Sequence, residues 1–476
     1  MTAPLSQAEI LIDYYQSIIP DPEAMLDCLQ QPLPTSLSVN TLKVAPEQCR
    51  ELLREVGINT EAMAWNPNGL KASGKVDGIG RNWAYQAGLY QTQEEVSLLP
   101  AIVLDPQPGE KVLDLCSAPG GKTAQMAVMM QNTGTLIAND RNYGRLRAVG
   151  HMIKRLGLFN IATTALDGSA YPALRNHFDR VLVDAPCGCE GTWRKHSKKA
   201  VLPSRKSSLA LSEIQYRLLE KAMQLTRVGG RIVYSTCTFA PEENEAVVSR
   251  LLKEHGDKIK VLPIQLDNWV ASEGITQWQG GEYHPDVRQS MRVWPHQNNS
   301  GGFFVVLLEK TSDKEQKPVV IRDEVRSNDP SIAPVIEQVL SRFGISPDIF
   351  KDFTANANNH RGIYLYPPSL QVPENLPVDA AGLFAIKTKT KHAKLSTPAA
   401  MWITPLAKKN CIELDENQRD LYLLRQTILL TDKQLQQIDN TGYVLVTYRG
   451  VGLGIGLYLQ YQEGPAELES LFPKSL

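Results

Sequence analysis

Two cysteines are placed where a sequence can do covalent chemistry. Cys187 lies in DAPCGCEGT (184–192) and Cys237 in YSTCTFAPEENE, each directly after an apolar, β-branched run, RVLV and GRIVY. Both thiols therefore leave strand ends. A thiolate there would be a nucleophile, provided that a cation or a helix N-terminus lowers a pKa of about 8.5 in free cysteine. Local sequence leaves open which of the two attacks. A buried cysteine is ordinarily an inert small hydrophobe, but these two share their neighbourhood with other chemical groups. LDLCSAPGGKT sets Pro119, Gly120 and Gly121 in a turn between a strand and a helix, where glycines let a ligand approach the backbone. The spacing matches neither GxxxxGK[ST] nor GxGxxG, which argues against nucleotide triphosphates and dinucleotides. Asp140, Asp167 and Asp184 follow the next three strand-like runs, where a carboxylate can accept from ribose hydroxyls, an adenine amino group or a charged amino acid. A single such Asp is usually a turn or cap residue; three in register with a glycine turn point to a ligand.

These groups need a sheet that brings strand ends together. KVLDLC (111–116), TLIAND (135–140), IATTALD (161–167), DRVLVDAP (179–186) and GGRIVYSTC (229–237) read as strands, and GGFFVVLLEK (301–310) as a last one. TAQMAVMMQ, RLRAVGHMIKRLG and EIQYRLLEKAMQLTR between them carry apolar residues three and four apart and read as helices. The alternation implies a doubly wound parallel sheet of the α/β class. TSDKEQKP (311–318) and YPPSLQVPENLP (366–377) read as linkers, and YVLVTY (443–448) followed by the Gly-rich 450–456 run as part of a β-rich unit.

Composition narrows the class. The 476 residues imply several domains, and 42% hydrophobic with 21% charged residues is ordinary for globular protein. No apolar run reaches membrane-span length, and the opening residues lack a secretory pattern, so a cytoplasmic protein with no membrane partner is expected. Seven cysteines at irregular spacing give neither a disulfide framework nor a zinc motif, and no metal is expected; Cys189 would need more ligands than His196 offers. Cys28, Cys49 and Cys411 read as structural, and Cys116 as a backbone contributor to the turn. The net charge of −1 is unusual for a nucleic-acid binder, but basic runs exist at Arg194, Lys195, Lys198, Lys199, Arg205 and Lys206, and at Lys387, Lys389, Lys391 and Lys394.

Together CSAPGGKT (116–123), DAPCGCEGT, YSTCT (234–238), the following PEENE and GGFFVVLLEK resemble the NOL1/NOP2/Sun family of RNA 5-methylcytosine methyltransferases, over residues 30–310. SVNTLK (38–43) is similar to its N-terminal motif, with Ser38 where members often carry Arg; Gly188 replaces the usual Ser. The tail, with YRGVGLGIG and LFPKSL, is similar to the PUA-like module of bacterial 16S ribosomal RNA members. The resemblance implies a Rossmann-like class I methyltransferase core at 81–312, an N-terminal α+β RNA-recognition domain at 1–80, a linker or small intermediate domain at 313–375 and a C-terminal β-rich PUA-like RNA-binding domain at 376–476. It implies S-adenosylmethionine held by Cys116, Ser117, Ala118, Pro119, Gly120, Gly121 and Lys122 with Asp140, Arg145, Asp167 and Asp184. It further implies that Cys237 attacks carbon 6 of a cytosine, that Cys187 assists release, and that Asp184 bonds the cytosine edge. Carbon 5 is a poor nucleophile until a thiolate adds to carbon 6. The expected partner is RNA, ribosomal RNA or the small ribosomal subunit, with the 194–206 run on its backbone. Transfer RNA is the alternative substrate; a noncatalytic RNA-binding assembly factor is the alternative class, disfavoured by intact Cys187, Cys237 and Asp184.

Overall fold

The computed structural model describes residues 6–74, 76–196, 202–313, 319–321, 331–358, 362–390, 392–460, 462 and 465–474. Lys198, Lys199 and Lys391, and the side chain of His196, lie outside the described residues.

The middle of the ten-stranded central sheet is built from β1 (Lys111–Asp114), β2 (Thr135–Asn139), β3 (Ile161–Thr164), β4 (Phe178–Asp184), β5 (Thr226–Thr236) and β6 (Phe303–Lys310). Their order is 3-2-1-4-5-6, parallel except for β6, which runs antiparallel beside β5. Strands buried on both faces read as continuous apolar runs. Val112, Leu136, Leu182 and Val233 point into one apolar layer, and Leu113, Ile137, Val181 and Ile232 into the other. Helices α1 (Gly121–Met129), α2 (Tyr143–Leu156) and α3 (Arg205–Leu225) cover these faces. In α2, Leu146, Val149, Met152 and Leu156 recur at helical spacing and are buried; Asn142 caps its start and Gly157, at φ +75°, ends it. The order reverses between β1 and β4, so the crevice at their carboxyl ends is the natural ligand position.

Around this core the described residues form three larger sheets, of four, four and five strands, and a two-stranded ribbon of Gln277–Trp278 and Gly281–Glu282. The first joins Ser36–Val39, Asn59–Met63, Asn66–Ser73 and Tyr90–Thr92. It therefore draws a strand from beyond residue 80, where the sequence puts a boundary. Helices Gln7–Tyr15 and Pro22–Gln30 pack not on this sheet but against Trp193, Phe239, Trp278 and Trp294. The second sheet joins Thr354–Asn358, Gly362–Tyr366, Leu383–Lys387 and Lys394–Leu395, straddling the boundary expected at 375. A short strand between its parts, Ala380–Ala381, pairs with β3 and fastens this unit to the core. The last sheet holds Gly442–Tyr448 and Val451–Leu459; the Gly-rich run is a strand, and Gly452 lies where an added Cβ would meet Thr404 at 2.9 Å. First and last sheets share one apolar cluster, with Trp83 edge-on to Tyr448 at 4.9 Å. Among the described residues no helix is long and apolar enough to cross a membrane.

Candidate active site

The turn after β1 is tied down by its neighbours' backbones. Ser117 N–H donates to the Asn139 carbonyl at 2.7 Å and Ala118 N–H to Asp140 Oδ2 at 3.3 Å, while Arg145 Nη2 donates to the Ala118 carbonyl at 2.5 Å. Gly120 takes φ +106°, a backbone conformation that favours glycine, and a Cβ there would also push aside the Met152 methyl at 2.5 Å. Asp140, buried, also accepts from Asn142 N–H at 2.8 Å and lies 3.6 Å from Arg145. Asp167 behaves differently. It is exposed and caps its own short turn, accepting from Ser169 N–H and Oγ at 2.9 and 2.8 Å, and these bonds hold its carboxyl below the usual range. Asn139, fully buried, links the two strand-end loops by donating to the carbonyls of Leu115 and Leu166, both at 3.0 Å.

Across the crevice, Asp184 ends β4 with both oxygens engaged, Oδ2 by Lys122 Nζ and Oδ1 by Ser235 Oγ, each at 2.8 Å. Burial works against the charge on Lys122, yet Asp184 outweighs it and raises the ammonium's pKa. Asp114, buried at the end of β1, accepts from Thr123 at 2.6 Å, and burial pushes it up to about 7. The crevice thus offers carboxylates and two cations, Lys122 and Arg145, to a bound molecule.

The two strand-end cysteines meet. Their sulfurs are 3.3 Å apart, Cys237 N–H approaches the Cys187 sulfur at 3.3 Å, and exposed Cys189 places a third sulfur 4.0 Å from Cys187. All three sulfurs lie within 4.8 Å of one another. Sharing hydrogen bonds with Cys189 and Cys237, and burial, hold the Cys187 thiol well above the ordinary range. At Cys237 the Cys187 contact works downward, but Cys189 and burial outweigh it, so the net shift is upward.

Buried polar groups that the sequence analysis left without a task hold both thiols in place. Glu243 accepts from Gly188 N–H at 3.0 Å and Gln215 at 2.8 Å, fixing the Cys187 loop. Asn244 accepts from Thr236 at 2.5 Å and donates to the Thr238 carbonyl at 3.0 Å, spanning the residues on either side of Cys237. Glu190 accepts from Thr238 Oγ1, from Phe239 N–H and from the Tyr15 hydroxyl of the first helix. Gly191 N–H donates to the Cys237 carbonyl at 2.9 Å; a Cβ on Gly191 would sit 2.2 Å from the Gly302 carbonyl oxygen, so this close approach needs glycine. For Glu243 and Asn244 the sequence signal is PEENE itself, polar residues crowded against a nucleophile candidate; Glu190 lies in DAPCGCEGT, beside the other.

The basic runs are partly committed elsewhere. Arg194 donates to the carbonyls of Gln31, Pro32 and Ser300 and to Asn299, clamping the first helices to the core. Arg205 lies 3.7 Å from Glu242, and Lys394 sits over the Tyr443 ring. Lys195, Lys206, Lys387 and Lys389 are exposed.

Residues 101–309 match the family model described as 16S rRNA methyltransferase RsmB/F, and 409–462 match the methyltransferase RsmF PUA domain. A protein of Aeromonas salmonicida named ribosomal RNA small subunit methyltransferase F is 30% identical over 446 residues, 90% of this chain and 89% of its own. The chain belongs to the RsmB/F methyltransferase family. Mouse 28S rRNA (cytosine-C(5))-methyltransferase is 35% identical over 320 residues, 66% of this chain but 40% of that protein, so the chain spans less than half the length of this relative. A crystal structure of a methyltransferase homologue from Pyrococcus horikoshii aligns with a TM-score of 0.57 and 29% identity, covering 65% of this chain and all of that one. The methyltransferase core and the PUA-type tail expected from the sequence are thus those of the RsmB/F family.

For this family member the raised thiols predict a pH dependence. Thiolate is the reactive form, and a raised pKa moves its appearance to higher pH. In the ligand-free protein, iodoacetamide labelling of Cys237, read by mass spectrometry of its peptide, is expected still to be climbing above about pH 8.5, where a free thiol is half ionised. A labelling rate that levels off below that pH would contradict the upward shift.

Proposed function

We propose that this chain transfers a methyl group from S-adenosylmethionine to carbon 5 of a cytosine in RNA, most directly 16S ribosomal RNA, with Cys237 adding to carbon 6. The observation that carries this reading is the pair of thiols, 3.3 Å apart at adjacent strand ends and beside the Lys122–Asp184 contact.

The crevice suits S-adenosylmethionine. Ser117 Oγ is buried in the turn without a hydrogen-bond partner, and Asp114, Asp140 and Asp184 surround a place where a sulfonium and an amino group would be welcome. Residues 116–122 with Asp140, Arg145, Asp167 and Asp184 would hold it; both turn bonds of Asp167 go to Oδ1, so its second oxygen can accept from a ribose hydroxyl. When bound, the cofactor supplies an electrophilic methyl group. The protein's own residues do the rest. Cys237 adds to carbon 6 and makes carbon 5 electron-rich. Asp184, whose oxygens keep further acceptor capacity beyond Lys122 and Ser235, hydrogen-bonds the cytosine edge and stabilises its protonated form. After transfer the carbon 5–hydrogen bond breaks, its electrons re-form the carbon 5–carbon 6 double bond and the bond from carbon 6 to Cys237 breaks; Cys187, in contact with the departing sulfur, takes up the carbon 5 proton as it passes its own to Cys237, which loses that proton to solvent before the next turnover. Glu190, Glu243 and Asn244 keep the two thiols aligned.

Methylation of naked 16S RNA, of small ribosomal subunits and of transfer RNA by the purified protein tests the reading, with 5-methylcytosine mapped by sequencing. Transfer to the ribosomal substrates is the expected result. Methylation of transfer RNA alone would move the substrate, and no methylcytosine on any would sink the activity. In the same system Asp140→Ala is expected to weaken S-adenosylmethionine binding by about 1–3 kcal/mol, the scale of removing a partner of a polar group. Calorimetric titration measures it, and undiminished affinity would take Asp140 out of the site.

A further inference from the structure

A cavity of about 970 Å³ lies away from the cysteines, between α2 and the second of the outer sheets. Its two walls differ in chemistry. From 141 to 166 the chain has no acidic residue, and Arg141, Arg145, Arg147, His151 and Lys154 are all exposed along α2 or at its start. Arg147, His151 and Lys154 line the cavity together with Tyr143, which is 50% exposed and lies under the Arg147 guanidinium at 5.6 Å.

The facing wall is a strand pair. Ile363 and Leu365 of Gly362–Tyr366 are buried in an apolar cluster, while Tyr364 and Tyr366, on the opposite side of the same strand, are half-buried and line the cavity. Phe384, the cross-strand partner of Tyr364, lies on that side too, with ring centroids 5.0 Å apart. The solvent side of an antiparallel sheet is normally polar, and this one presents aromatic rings. Ala380–Ala381, paired with β3, holds the sheet at a fixed distance from α2. Asp379 is the single acidic residue among those lining the cavity.

We propose that this groove binds a single-stranded stretch of the RNA substrate, its phosphates along α2 and its bases stacked on the Tyr364 and Phe384 rings. A positive track beside aromatic platforms is the combination that holds unpaired nucleic acid without reading its sequence. The groove also begins in the right place, because Arg145 of α2 reaches the Ala118 carbonyl in the turn by the reaction crevice. The inference rests on the proposed RNA substrate, and shows how a chain of net charge −1 can still offer it a positive surface: the stretch 141–166 carries cations and no acidic residue.

Binding of a fluorescein-labelled single-stranded RNA of mixed sequence to the full chain, followed by anisotropy over a range of salt, tests the groove. Tyr364→Ala is expected to raise Kd about 5- to 160-fold, as losing one stacked base does, while Tyr364→Phe stays within about twofold. Arg147→Gln with Lys154→Gln, both on exposed positions, should lower the slope of log affinity against log salt by about 1.4, at roughly 0.7 per phosphate on a single strand. S-adenosylmethionine affinity should not change in any of these variants. The same sequence as a duplex should bind more weakly, its bases having no free face. Unchanged affinity and slope in these variants, equal losses from Tyr364→Phe and Tyr364→Ala, or equal binding of the duplex would overturn the groove while leaving the methyltransferase reading intact. Failure of the unmodified protein to bind or methylate RNA would overturn both.

Discussion

Cys237→Ala is expected to abolish methyl transfer and to form no protein–RNA adduct, whereas Cys187→Ala is expected to accumulate an adduct that survives denaturing gel electrophoresis. Without the Cys237 thiol nothing adds to carbon 6, and carbon 5 stays unreactive. Removing Cys187 leaves the attacking sulfur but takes away the thiol in contact with it at 3.3 Å, the group placed to protonate Cys237 as it departs. Incubating each variant with RNA and S-adenosylmethionine before the gel reads both outcomes. An adduct from Cys237→Ala and none from Cys187→Ala would exchange the two roles. Adducts from neither would transfer the release step elsewhere, and Cys189, whose sulfur is 4.0 Å from that of Cys187, is the nearest thiol.

The parts of this site visible in the sequence are those set by local pattern. Short apolar runs ending in Asp140, Asp184 and Cys237 announce parallel strands, because strands covered on both faces need no polar alternation. Parallel order then brings their carboxyl ends to one edge, and the Lys122–Asp184 bond across the switch point follows from that topology. What a one-dimensional reading misses is which polar side chains spend their bonding capacity on the protein itself. Asp167 resembles its two neighbours in sequence, but it sits three residues past the end of β3 and also caps a turn through Oδ1. Arg194 looked like a phosphate contact but finds four oxygen acceptors within the protein, from segments up to 163 residues away. Conversely, the α2 cations escape notice because alternating apolar residues, the helix's buried face, interrupt them. Only coiling at 3.6 residues per turn collects Arg147, His151 and Lys154 on one side. Sheet membership across residues 80 and 375 was likewise hidden, since Tyr90–Thr92 and Leu383–Lys387 find partners through long-range pairing that composition does not encode.

The largest stability effect is expected at Arg292. Its guanidinium makes a two-pronged bond with Glu245, 2.5 and 2.6 Å, with the two side chains 3% and 0% exposed, and its third arm donates to the Phe239 carbonyl at 2.9 Å. Glu245 also accepts from Ile275 N–H at 3.1 Å. Arg292→Ala strands a buried carboxylate, which ordinarily costs about 3–5 kcal/mol, whereas replacing both partners by apolar side chains removes the charge that needs solvation. Arg292→Met with Glu245→Met should therefore recover much of what Arg292→Ala loses. Urea unfolding followed by tryptophan fluorescence is a suitable measure, because Trp294 lies beside the guanidinium and Trp278 packs in the adjoining cluster. Phe239 is two residues from Cys237, so the recovered double variant separates two effects: if it regains stability but not methyl transfer, the arm to the Phe239 carbonyl positions the nucleophile. A loss under about 1 kcal/mol in Arg292→Ala, the range of exposed pairs, would mean that the pair is hydrated in solution.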